Sequence, residues 1–124
     1  MARIGARPGD WKAEPLPARV AALPFRRSFS VAEFTRLQQG LVPEEMEDRW
    51  FVVWHADALW LHRSWTGTCI YRLRFAVGGD EVEIAEVIVN REPEQYTGSD
   101  NYDLHALGSL LDTVLSYSAG RAGR

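Results

Sequence analysis

The hydrophobic and polar positions fall into two helix-like stretches and four strand-like stretches. The first helix opens at Ser30: its hydroxyl is placed to accept from the amide of Glu33, and the Glu33 side chain to reach back to the amide of Ser30. Phe29 and Phe34 stand at the hydrophobic-staple positions, and Gly40 follows as a C-terminal cap. This predicts a helix over about 31–39, with Val31, Phe34 and Leu37 inward.

Four strand patterns come next. Trp50–Trp54 is apolar throughout, as a strand covered on both faces is. Leu59–Trp65 follows a short turn at His55–Ala58. Cys69–Val77 alternates, with Cys69, Tyr71, Leu73, Phe75 and Val77 on one face. Glu81–Asn90 returns with Val82, Ile84 and Ile88 inward. Gly78-Gly79 has the character of a two-residue hairpin loop. It sets Val77 against Asp80, Phe75 against Val82, Arg74 against Glu83 and Leu73 against Ile84.

A polar loop, Arg91 to Asn101, leads to a second helix over about 102–118, which Asp100 or Asn101 is placed to cap. Its apolar stripe is Leu104, Leu107, Leu111, Val114 and Leu115. Gly108 interrupts the stripe and suggests close packing; Gly120 is expected to end the helix. The expected fold is therefore α+β: a four-stranded antiparallel meander flanked by an N-terminal and a C-terminal helix. Residues 1–29 carry Pro8, Pro15, Pro17 and Pro24 and read as an irregular arm packed on the domain, with one helical turn across Ala18–Ala22. Residues 30–118 form the single domain, and 119–124 a disordered tail.

Composition changes this picture little. A chain of 124 residues that is 46% hydrophobic and 25% charged suits one domain with one core. Five Trp is a high number for that length, and Trp gathers in cores and binding surfaces. The net charge of -3 gives no general attraction to nucleic acid, and Arg26-Arg27 is too small a basic patch to add one. The single Cys69 excludes an internal disulfide and a cysteine zinc cluster; it reads as a small core residue. No apolar run spans a membrane, and the polar N-terminus has no secretory core, so a cytoplasmic location is expected.

Candidate chemistry concentrates at one rim of the meander. The antiparallel topology brings the turn Arg63, Ser64, Trp65 and Thr66 to the same edge as Asn90 and Arg91, with Gln95 and Tyr96 following. Arginines fork onto phosphate or carboxylate, and Trp or Tyr offers a stacking face. The expected ligand is anionic or nucleotide-like. Arg63 and Arg91 would hold its charge, Trp65 and Tyr96 would stack, and Ser64, Thr66 and Asn90 would orient it. The plain alternative is a tight turn, with Gly67 for its backbone, Arg63 paired to Glu86 or Glu92, and Asn90 capping the loop.

Catalysis has less to stand on. His55, His62 and His105 lack metal-ligand spacing, and no metal or cofactor is expected. Ser64 with His62 lacks a third member and an oxyanion hole. Glu83 and Glu86 alternate to opposite faces. A small hydrolase acting on a nucleotide-derived substrate would have only His62, Glu92 and Asp48 for acid–base work. A protein-interaction, accessory or immunity-type module is another reading, with the acidic loop Glu44–Asp48 and surface tryptophans as the contact.

Met46-Glu47-Asp48-Arg49-Trp50-Phe51, His62 to Gly67 and Asn90-Arg91 together resemble a family of small bacterial proteins that share an MEDKW-type entry and an HRSWTG turn. The resemblance covers roughly residues 30–115, with Arg49 where the family pattern has Lys. It implies an association with ADP-ribose or NAD-related enzymes, such as macrodomain or ADP-ribosyl hydrolase proteins. It assigns no catalytic residue.

Overall fold

The computed structural model describes residues 2–122, with side chains described through Tyr117. In chain order the elements are β1 (Val20–Ala22), β2 (Ser28–Ser30), α1 (Val31–Gln39), β3 (Trp50–His55), β4 (Ala58–Arg63), β5 (Cys69–Gly78), β6 (Glu81–Asn90) and α2 (Asp100–Ala122). The class is α+β with an antiparallel sheet, as expected, but the sheet has six strands rather than four. Its order is β1-β6-β5-β4-β3, and β2 also pairs with β6.

The two added strands lie in the proline-bearing arm. β1 pairs Val20 with Asn90 and Ala22 with Ile88, while β2 pairs Ser28 with Glu83 and Ser30 with Glu81. They are two pieces of one broken edge strand. Pro24 lies in the gap, where a missing N–H costs no ladder bond. The helical turn expected at Ala18–Ala22 is thus a strand, because its partner, β6, lies some seventy residues away in sequence where local pattern does not reach.

α1 spans the expected residues. Ser30 and Glu33 form the reciprocal capping box, at 2.9 and 3.1 Å. Leu37 is fully buried and Phe34 half-buried against Trp54 and Phe75, but Val31 is exposed rather than inward. Gly40 ends the helix with φ 62°, and a Cβ there would collide with the Val52 carbonyl oxygen. That close approach lets Leu41 pair with Val52 beside β3, and Arg3 pairs with Val42 beyond it, so this edge of the sheet is covered.

The β5–β6 hairpin closes one residue later than expected. Its loop is Gly79-Asp80, with Gly78 opposite Glu81, and of the two loop residues only Gly79 has positive φ. Val77 therefore faces Val82, and Phe75 faces Ile84. A bulge between Arg74 and Phe75 then changes the phase, so Arg74 meets Glu86 and Leu73 meets Val87. Val87 and Val89 take the inner face beyond it, and Ile88 turns outward, half-exposed. A second bulge inserts Ile70, so that Leu61 faces Tyr71 and His62 faces Cys69. Ile70 and Tyr71 both enter the main core, while Cys69 leaves that face. Val77, at the hairpin's far end, is exposed.

One face of the sheet carries the main core, where Leu59, Leu61, Leu73, Val87 and Val89 meet Leu37 and the α2 residues Leu107, Leu110, Leu111 and Val114. The other face carries a smaller cluster of Val42, Phe51 and Val53, covered by Ala6, Trp11 and Trp60. β3 is therefore doubly covered, with the N-terminal segment supplying part of the second cover. α2 begins at Asp100, and its cap is Ser99, whose hydroxyl accepts from the Tyr102 amide at 3.3 Å. The helix continues through Gly120 to Ala122, past its expected end; residues 123–124 of the expected tail lie outside the described residues. No helix among the described residues is long and apolar enough to cross a membrane.

Candidate functional site

The rim of the sheet where β4 ends holds a closed ring of contacts. Arg63 lies opposite Trp50 on the β3–β4 ladder, and its guanidinium sits over the Trp50 ring at 5.1 Å. Trp50 stacks on Tyr71, with centroids 6.1 Å apart. The Tyr71 phenol donates to Asp103 Oδ1 on α2 at 2.6 Å. The Tyr96 phenol donates to the same oxygen. The Tyr96 ring closes the circle, 5.8 Å from the Arg63 guanidinium. Arg63 is thus held by two aromatic faces, each contact worth about 0.5–1 kcal/mol at a partly exposed site. It has no ion pair among the described residues, and its Nε is buried with no hydrogen-bond partner. Glu86, one expected partner, instead binds Arg72 at 2.7 Å and lies 3.9 Å from Arg74, on the opposite face of the sheet.

Beside Arg63 opens a cavity of about 890 Å³. The half-buried Arg63 and Tyr96 and the buried Ile70 form its floor. Exposed Arg49, Trp65, Thr66 and Tyr102, with the loop from Pro93 to Ser99, form its walls and mouth. Trp65 is 65% exposed and anchored at its edge, where Nε1 donates to the Met46 carbonyl. The turn that presents it is tight. Gly67 has φ 80° and donates its amide to the Arg63 carbonyl at 2.8 Å, while Thr66 Oγ1 accepts from the Thr68 amide. The arm fastens this turn from behind through Trp11 Nε1 to the Ser64 carbonyl and the Glu14 amide to the Gly67 carbonyl.

Of the residues expected at the site, Arg63, Trp65, Thr66 and Tyr96 converge on the cavity. Ser64, Asn90 and Arg91 do not line it. Ser64 is buried, with an unpartnered hydroxyl. Asn90 is fully buried and builds the loop: its amide donates to the Cys69 carbonyl and Gln95 Oε1, both at 2.9 Å, and its Oδ1 accepts from the Glu92 amide. Arg91 is held by Asp100 and Asp103, at 2.7 and 2.8 Å. Sequence reasoning passed over Arg49, Tyr102 and Asp103. Asp103 carried a readable signal, since it shares the helical face of Leu107, Leu110 and Val114, where a carboxylate requires partners.

Electrostatics follow burial. Desolvation, then the bond to Asp103, push the Tyr96 phenol up to about 12. The same two causes raise Tyr71. Both phenols therefore stay protonated and donate to the carboxylate. Burial lowers His62, only partly offset by its bond to the Gly67 carbonyl, so it is neutral with its proton on Nδ1. Burial likewise pushes the Cys69 thiol up to about 12. At Asp48 the residual burial opposes ionisation, but the amides of Glu44 and Glu45 hold the carboxyl below its usual range. Among the described residues no group of three or more His, Cys, Asp or Glu side chains could hold a metal ion.

Comparison with family models, with curated proteins and with solved structures finds no match to this chain.

Proposed function

We propose that the protein binds a small anionic ligand bearing a flat ring, of nucleotide-like character, in the cavity beside Arg63. The observation that carries this reading is the state of Arg63: a guanidinium between Trp50 and Tyr96, at the floor of an open cavity, with no carboxylate paired to it among the described residues. An arginine preorganised by aromatic faces loses little freedom when it takes up an anion. Arg49 adds a second cation, Trp65 and Tyr102 offer ring faces at the mouth, and Thr66, Gln95 and Ser99 add polar contacts. ADP-ribose and NAD belong among the first ligands to try because of the resemblance described above.

The residues weighed for acid–base work are engaged elsewhere. His62 packs on Phe51, Asp48 caps its own loop, and Glu92 Oε2 lies 3.4 Å from the Glu94 amide. Binding is therefore preferred to hydrolysis. A thermal-shift and calorimetric screen of ADP-ribose, NAD, nucleotides and small organic acids tests the reading. A raised melting temperature that disappears in Arg63→Ala and in Trp65→Ala supports it. No ligand of these classes binding the wild-type chain defeats it.

A second reading is a docking surface for a protein partner. It is favoured by the exposure of Met46 (74%) and Trp65, joined through the Trp65 Nε1 bond, beside the acidic loop. A partner that co-purifies with the wild-type chain, and is lost on Trp65→Ala while small ligands fail to bind, would favour it.

A further inference from the structure

Arg49 and Arg63 belong to neighbouring rungs of one ladder. Arg63 pairs with Trp50, and the Ser64 amide donates to the Arg49 carbonyl at 2.9 Å. Both residues line the same cavity, and neither has an ion pair among the described residues. Arg91, on the same rim, shows the contrast: it is neutralised by two carboxylates, Asp100 and Asp103. Two cations on the lining of one cavity repel, and two negative charges placed between them relieve that repulsion more completely than one. Among the described residues Glu94 is the single carboxylate on the lining; it belongs to the exposed loop and pairs with neither arginine.

The cavity also has a direction. Ile70 at the floor is 1% exposed, and Arg63 beside it has a shielded Nε. Trp65 and Tyr102, on the same lining, are 65% and 57% exposed. A ligand with charge at one end and a ring at the other enters charge first.

Resting on the binding reading above, we infer that the ligand's charged end is a terminal dianion of the phosphate-monoester class, taken up by Arg63 from below and Arg49 from the side, with its ring toward Trp65 and Tyr102. A diphosphate flanked by groups on both sides, as in ADP-ribose, needs room beyond Arg63, where the buried Ile70 and the half-buried Tyr96 lie on the lining.

Titration calorimetry on the full chain tests this with adenosine monophosphate and phenyl phosphate as dianions, cyclic adenosine monophosphate as the monoanion, ADP-ribose, and adenosine as the neutral control. The open monoester should bind about tenfold or more tighter than the cyclic one, the value of one further charge-assisted bond. Its affinity should fall between about pH 7.5 and about pH 5 as the phosphate takes up its second proton, whose pKa is about 6. The cyclic ester over the same range reports any titration of the protein itself. Arg49→Ala, at an exposed position, should erase the preference for the dianion and flatten the pH dependence. Equal affinity for open and cyclic esters, or tighter binding of ADP-ribose than of the monoester, overturns the inference while leaving the binding reading intact. If no anion binds, both fall together.

Discussion

The Tyr96 phenol donates to Asp103 Oδ1 while the Tyr96 ring faces the Arg63 guanidinium at 5.8 Å, so a carboxylate on α2 holds part of the floor of the candidate site. The same carboxylate takes Tyr71 and Arg91, which ties β5, the loop after β6 and the helix to one point. Arg91 Nη2 lies 2.8 Å from Asp103 Oδ2, an ion pair off the hydrogen-bond direction. The substitutions Tyr96→Phe and Asp103→Ala should therefore differ in size. The first keeps the ring and leaves Asp103 two partners, a loss of about 1 kcal/mol. The second strips an acceptor from two phenols and a counter-charge from Arg91, a loss of about 3 kcal/mol or more. Urea unfolding midpoints of the two variants measure the difference; similar losses would contradict the hub role of Asp103.

His62 gives the fold a pH dependence of definite sign. Burial lowers its pKa in the folded chain below the unfolded value of about 6.5. The unfolded chain therefore binds the proton more readily, so stability is fully present above that value and is lost as pH falls through the folded pKa. His62→Asn keeps a donor for the Gly67 carbonyl without a titrating ring. Stability measured from about pH 7.5 to about pH 5 should fall less steeply in this variant than in wild type. Parallel curves would show that His62 does not set the slope.

The turn between β3 and β4 has an unfavourable sequence. Ala56 and Asp57 both adopt positive φ, 50° and 58°, between the paired His55 and Ala58. Such a loop favours Asn-Gly, and Ala has no side-chain means of easing that backbone. The double variant Ala56→Asn, Asp57→Gly should stabilise the chain by about 0.5–1 kcal/mol, read as a raised melting temperature. A lowered one would mean that the Ala-Asp pair makes contacts worth more than the strain.

Gly40 and Gly108 should respond in opposite directions. Gly40→Ala forces a Cβ into the Val52 carbonyl at a positive φ and should cost several kcal/mol. At Gly108 an added Cβ would meet the Phe25 ring at 3.7 Å, an ordinary contact, within a regular helix. Close packing does not require glycine there, and Gly108→Ala should stabilise by about 1 kcal/mol. Denaturant curves of both single variants check the pair of signs.

Much of this architecture follows from local chemistry. The capping box at Ser30 and Glu33 lies within one helical turn, so its partners are neighbours in the chain. The four central strands follow from their apolar runs, and their antiparallel order from the three short connections that join them. That order alone gathers Arg63, Trp65, Thr66 and Tyr96 at one rim. The phase break at Ile84-Ala85-Glu86-Val87 was also written in the chain, where two outward residues follow one another and mark the bulge.

Other features have their cause in distant partners. β1 and β2 are strands only because the outer edge of β6 offers unpaired amides and carbonyls, against the local preference of a proline-bearing arm. Asn90 and Arg91 have the residue types of a ligand site, yet the loop backbone and the first turn of α2 claim them. Arg63, with the same chemistry, is left open because the residues packed on it are the aromatic Trp50 and Tyr96 rather than carboxylates. The sequence by itself determined which residue types reach the rim, because strand alternation and short turns act locally. Only the tertiary structure decided which of those groups are already satisfied, because the partners that neutralise a charge come from any part of the chain that packing brings within a few ångströms.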